Sequence, residues 1–109
     1  MKIKRTVSRE LLAEVLKKGR VQHTPFFSVR AISSPTSACT AVISKKVAKT
    51  AVARNRAKRR IRDAVALVLA QSSQTHTVVV FVNKSIVEMS TFDLKQNISL
   101  ALSKLLLVQ

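Results

Sequence analysis

Residues 8–19, SRELLAEVLKKG, place Leu11, Leu12, Val15 and Leu16 at the spacing of one helix face. Ser8 is a suitable N-cap, Glu10 suits the positive start, and Lys17 and Lys18 suit the negative end. Gly19 is expected to stop this helix in the left-handed conformation. Within 22–33, Phe27, Val29 and Ala31 alternate with Ser28, Arg30 and Ile32, the pattern of a half-buried strand. SSPTS, 33–37, reads as a turn, and ACTAVIS, 38–44, as a second strand antiparallel to the first across it. The longest helix is predicted over 50–71, capped by Thr50, with a stripe of Ala53, Ala57, Ile61, Ala64 and Val68. QSSQTH, 71–76, reads as a loop. TVVVFVN, 77–83, is apolar and β-branched, as in a strand covered on both faces. Ser90 caps a last helix, with Asp93 as capping-box partner and Leu94, Ile98, Ala101, Leu102 and Leu105 as its buried stripe. The order helix, strand, strand, helix, strand, helix predicts an α+β fold, helices packed on a small sheet. At 109 residues, without repeats or a linker, the chain is expected to be one domain, 1–109.

Charge changes the picture. The formal net charge is +15, and residues 1–62 hold 17 of the 20 Lys and Arg against two acids, Glu10 and Glu14. The remainder of the chain balances to zero. Such self-repulsion opposes compaction, and a polyanionic partner would relieve it. The excess culminates in RNRAKRRIR, 54–62, inside the predicted long helix. Arg54, Lys58 and Arg62 stack at successive i, i+4 positions beside the apolar stripe; Asn55 and Arg59 continue the polar arc; Arg56 and Arg60 point further round. Like charges at i, i+4 cost a few tenths of a kcal/mol per pair in an isolated helix. A merely solvated face mixes signs, and this one does not. Arg also binds phosphate oxygens bidentately and stacks on bases. Lys45, Lys46 and Lys49 add charge where strand meets helix, and a helix start itself attracts phosphate. The pattern predicts a nucleic-acid surface contacted mainly through the backbone. The seam position of Arg54, Lys58 and Arg62, with Ser28 and Arg30 of the first strand, predicts a groove for a single strand.

Other chemistries find little support. The five acids are scattered, and His23 and His76 fall in predicted loops, so no catalytic constellation stands alone. Cys39 is the only cysteine; it excludes an internal disulfide, fits no zinc spacing, and reads as a buried inert thiol. No signal-peptide pattern follows the basic N-terminus, and TVVVFV is too short to span a bilayer. A soluble cytoplasmic protein is expected.

The segment SKKVAKTAVARNRAKRRIRDAV, 44–65, resembles the signature of the bacterial ribonuclease P protein component, in Ser44-Lys45-Lys46, Arg54-Asn55-Arg56, Lys58-Arg59 and Arg62. Element order and length agree over nearly the whole chain. The resemblance implies a protein subunit that binds the catalytic RNA of ribonuclease P and the 5′ leader of precursor tRNA. The RNA would hold Mg²⁺ and perform the hydrolysis, with no cofactor on the protein, which would be monomeric without RNA. It implies a left-handed crossover between parallel strands joined by the long helix, an exception to the usual hand. Lys45, Lys46, Arg54, Asn55, Arg56, Lys58, Arg59 and Arg62 match RNA-contacting positions; the basic run adds Lys49 and Arg60. A leader cleft would draw on Leu12, Leu16, Ser28, Arg30, Arg54, Lys58 and Arg62. Leu12 and Leu16 stand where the family often has Phe, and Arg30 where it has a cleft aromatic, so leader binding is expected to lean on charge. Ala38 and Thr40 stand where the family usually shows Arg and Gly. The principal alternative is a ribosomal or other structural RNA-binding protein. A DNA-binding module lacks a helix-turn-helix partner here, and a membrane-surface helix lacks a bulky apolar face.

Overall fold

The computed structural model describes residues 7–71 and 74–107. Its elements are α1 (Arg9–Lys18), β1 (Arg20–His23), β2 (Phe27–Ser33), β3 (Ala38–Ile43), α2 (Ala51–Ala70), β4 (His76–Val82) and α3 (Thr91–Leu107). The α+β expectation holds, with one strand more than the apolar pattern predicted. β1, RVQH, has a single apolar side chain, Val21, and lies at the sheet edge, mostly exposed. It carries no alternation because it has little core to face. It joins β2 through a turn in which the Thr24 N–H donates to the Phe27 carbonyl at 2.8 Å and the Phe27 N–H to Thr24 Oγ1 at 3.0 Å.

The strand order is β1-β2-β4-β3. β2 and β3 therefore do not pair across the 33–37 turn as expected. β4 lies between them, antiparallel to β2 and parallel to β3. The physical reason lies in composition: β4 is the most apolar strand, and only the sheet centre covers it on both edges and both faces. His76 opens β4 and is buried, and His23 closes β1, so neither histidine is in a loop. Of the expected 71–76 loop, residues 72 and 73 lie outside those described. α2 connects the parallel strands β3 and β4.

The sheet separates two packings. Phe27, Val29, Ala31, Cys39, Ala41, Ile43, Val78, Val80 and Val82 face one way, into a core closed by α2 and α3. α1 lies on the opposite face, where Val15 and Val79 are fully buried. The helix starts are capped as the sequence predicts: Leu11 N–H donates to Ser8 Oγ, Ala53 N–H to Thr50 Oγ1 and Asp93 N–H to Ser90 Oγ, at 3.2, 3.1 and 3.0 Å. The buried stripe of α2 is Ala57, Ile61, Ala64, Val65 and Leu69, with Ala53 and Val68 at its margin. Gly19 departs from expectation: its φ of −67° and ψ of 148° are extended, not left-handed. It is needed for space, because a Cβ there would sit 2.3 Å from the Val15 carbonyl oxygen and 3.2 Å from that of Ala31.

Candidate nucleic-acid interface

α2 turns about 100° per residue, and its nine-residue basic run divides into three sectors. The crest, opposite the core, carries exposed Asn55, Arg56 and Arg59. One flank carries half-buried Arg54, Lys58 and Arg62, as the stripe predicted. The charge of Arg62 reaches the Cys39 thiol on β3, which places this flank along the edge strand. Burial pushes that thiol up to about 12 against the opposing pull of Arg62, so Cys39 is protonated at neutral pH and unreactive, as expected.

The other flank carries Arg60, and here the structure revises the sequence reading. Arg60 is half-buried and turned back onto the protein. Its Nη1 donates to the Ile86 carbonyl at 2.9 Å and its Nη2 to the Met89 carbonyl. The guanidinium thus clamps the segment between β4 and α3, and these donors are not available to phosphate. Arg60→Ala should lower stability by about 1–2 kcal/mol, and the midpoint of thermal unfolding by about 5–10 °C. It should reduce RNA affinity less than Arg59→Ala does. Lys should not restore the clamp, because it lacks the planar fork.

Arg54 is also partly committed. Its Nη1 donates to the carbonyls of Ala48 and Lys49 at 3.0 and 3.3 Å. The Ser44 carbonyl accepts from the Val47 and Ala48 N–H groups, both at 3.1 Å, and closes the preceding turn. Arg54 and Ser44 together fix the segment that presents exposed Lys45, Lys46 and Lys49 beside the start of α2. No acidic residue lies in the first turn of α2.

The residues expected to form one groove fall on two sides of the sheet. Ser28 and Arg30 share the face that carries α1, and Arg30 Nη1 donates to the Leu16 carbonyl at 3.3 Å. Arg54, Lys58 and Arg62 belong to α2, on the other face. Period-two alternation decides this: Ser28 and Arg30 point away from Phe27 and Val29, which α2 and α3 cover. β3, the edge strand, separates the two groups, with Thr40 and partly exposed Val42 turned toward the Ser28 face. A strand of nucleic acid reaching both would cross that edge. α1 covers only part of its face. The row Val21–Arg30–Val79–Thr40 lies beneath it, with Val79 fully buried; the neighbouring row His23–Ser28–Phe81–Val42 stays more open. Leu12 is half-buried and Leu16 is 43% exposed. Phe81 and Val42 were not singled out by the sequence. Both sit in apolar runs, where only the register reveals which face a side chain takes.

Fold and charge define a class, a small α+β protein whose long helix carries an exposed, strongly basic run. The ribonuclease P family model matches residues 2–106, and the chain belongs to the ribonuclease P protein family. It is thus a protein subunit of an RNA-containing endoribonuclease of tRNA processing. Among solved structures, the ribonuclease P protein of Thermotoga maritima superposes with a TM-score of 0.75 at 19% identity, covering 97% of this chain and 98% of that one. The protein of Staphylococcus aureus superposes at 0.70 with 22% identity, covering 98% and 95%. At these identities the structures speak for the fold. No curated relative matches the sequence. No helix among the described residues is long and apolar enough to cross a membrane.

Proposed function

We propose that this subunit binds the catalytic RNA of ribonuclease P and the 5′ leader of precursor tRNA, and so assists removal of the leader to give the mature 5′ end. The observation that carries the reading is the basic crest of α2, Asn55, Arg56 and Arg59, placed beside the exposed Lys45-Lys46-Lys49 segment. Together they offer the RNA backbone a basic surface that extends to exposed Asp63, one turn beyond Arg59. The leader would lie over the open part of the α1 face, past Leu12, Leu16, Ser28 and Arg30. It would turn across the β3 edge toward Arg54, Lys58 and Arg62.

In this reading the RNA performs the hydrolysis and holds Mg²⁺. The protein supplies affinity and orientation, and works as a monomer before it meets RNA. Screening of phosphate charge by arginine would also let the RNA fold compactly with fewer divalent ions.

The test is precursor-tRNA cleavage by the cognate ribonuclease P RNA at low Mg²⁺, with and without the protein. Addition of the protein should restore cleavage at the correct 5′ site and favour leader-bearing over leaderless tRNA. That preference should weaken with salt by about 0.7 log units per decade for each leader phosphate contacted. Tight RNA binding without restored cleavage would replace this reading with a structural RNA-binding role.

A further inference from the structure

The row His23–Ser28–Phe81–Val42 crosses all four strands on one face, in direct register. With strands about 4.8 Å apart, it spans about 14 Å. Its centre is Phe81. β4 is otherwise buried from His76 to Val80 and at Val82, and Phe81 alone in the strand stays partly open. Val79, two residues earlier on the same face, is fully covered. The chain has four Phe and no Tyr or Trp. Phe27 is buried on the other face, Phe26 packs against the core there, and Phe92 lies exposed on α3. Phe81 is thus the one phenyl ring presented on the uncovered part of the α1 face, in a row that ends at the exposed His23 imidazole.

The surroundings of Phe81 are polar on one side and apolar on the other. Ser28, its partner on β2, has Oγ 2.9 Å from His23 Nδ1 and accepts from Asn83 Nδ2 at 3.4 Å. Asn83, two residues beyond Phe81 on the same chain, is exposed and retains further donor and acceptor capacity. On the other side, Val42 pairs with Phe81 across the sheet and is 42% exposed. Lys45 and Lys46 follow Val42 by three and four residues. An aromatic floor, hydrogen-bonding groups along one edge and cations beyond the other are the three requirements of an unpaired nucleotide.

We propose that Phe81 is the stacking platform for one unpaired base of the leader, with Asn83 and Ser28 reading that base's edge. The inference rests on the leader reading above. It assigns to β4 the aromatic contact that Leu12, Leu16 and Arg30 do not supply. It adds a stacking contact to the charge on which leader binding here is expected to lean.

The experiment uses the holoenzyme reconstituted with its cognate RNA and precursor tRNAs carrying 2-aminopurine at single leader positions. In the wild type, one position should show fluorescence quenched by stacking. Phe81→Leu should abolish that quenching and weaken leader-bearing precursor by about five-fold or more, the low end of base–aromatic stacking. Leaderless tRNA should show no such loss. Phe81→Tyr and Phe81→Trp keep a ring and should keep both signals. Should Phe81→Leu fail to fold, the wild-type quenching and its retention in Phe81→Tyr still decide. No position-specific quenching in the wild type, or quenching and affinity unchanged in folded Phe81→Leu, overturns the platform while leaving the leader cleft standing. A wild-type holoenzyme indifferent to the leader overturns both.

Discussion

Replacing Lys45, Lys46, Arg56 and Arg59 together with Ala should weaken binding to the ribonuclease P RNA by about a thousand-fold or more at moderate salt. All four side chains are exposed, and among the described residues none of them has a side-chain hydrogen bond that the change would break. Each charge-assisted contact to phosphate contributes about 1.5 kcal/mol or more, roughly tenfold in affinity, and some loss of additivity is allowed for. The salt dependence should flatten in step, by about 0.7–0.9 in log–log slope for each phosphate contact removed. Stability should hold or rise slightly, because four of the fifteen excess positive charges are gone. RNA titrations at several salt concentrations, with thermal unfolding alongside, check both halves. Affinity within tenfold of wild type would sink the assignment of this crest as the RNA surface. Arg54→Ala is a poorer probe: it removes a charge and also releases the Ala48 and Lys49 carbonyls, so binding and local structure change together.

Ile61→Ala should act through the opposite face of the same helix. Ile61 is fully buried at the middle of the α2 stripe, between Arg60 and Arg62 in sequence. Removing its three terminal carbons costs about 2–5 kcal/mol, a transfer loss plus the cavity left behind. A domain of this size has about 5–15 kcal/mol in all, and this one also carries unrelieved positive charge. The midpoint of thermal unfolding should fall by 10 °C or more. If ribonuclease P RNA binds the folded form, RNA at about a hundred times its dissociation constant should return about 2.7 kcal/mol. The variant should therefore look far weaker alone than in the holoenzyme. Thermal unfolding with and without RNA measures this. A loss of under 1 kcal/mol for the free protein would show that α2 is not anchored through Ile61.

The three amphipathic helices were legible because their information is local. Ser8, Thr50 and Ser90 mark their starts, and an apolar side chain every three or four residues marks the buried side. The basic surface was legible for the same reason: a run of like charge on a 3.6-residue period has nowhere to go but outward and to the flanks. The resemblance in the 44–65 segment was legible because it lies in consecutive residues. β1 was not legible, since an exposed edge strand carries almost no apolar signal. Gly19 was misjudged because its role comes from the approach of the Ala31 carbonyl, twelve residues away, and from the tight Val15 contact, not from its own φ.

Strand order, and with it the site, was decided in three dimensions. Period-two patterning tells which residues share a face of one strand and nothing about which strand lies next to which. Inserting β4 between β2 and β3 moved Ser28 and Arg30 away from α2 and set Phe81 between Ser28 and Val42. The same packing engages Arg60 with the Ile86 and Met89 carbonyls, because helical spacing fixes the direction of a side chain but not what waits there. Composition and periodicity thus settle what is buried, what is charged and which family the chain resembles. Long-range packing of β4 at the sheet centre settles which of those charges and rings share a face of the sheet.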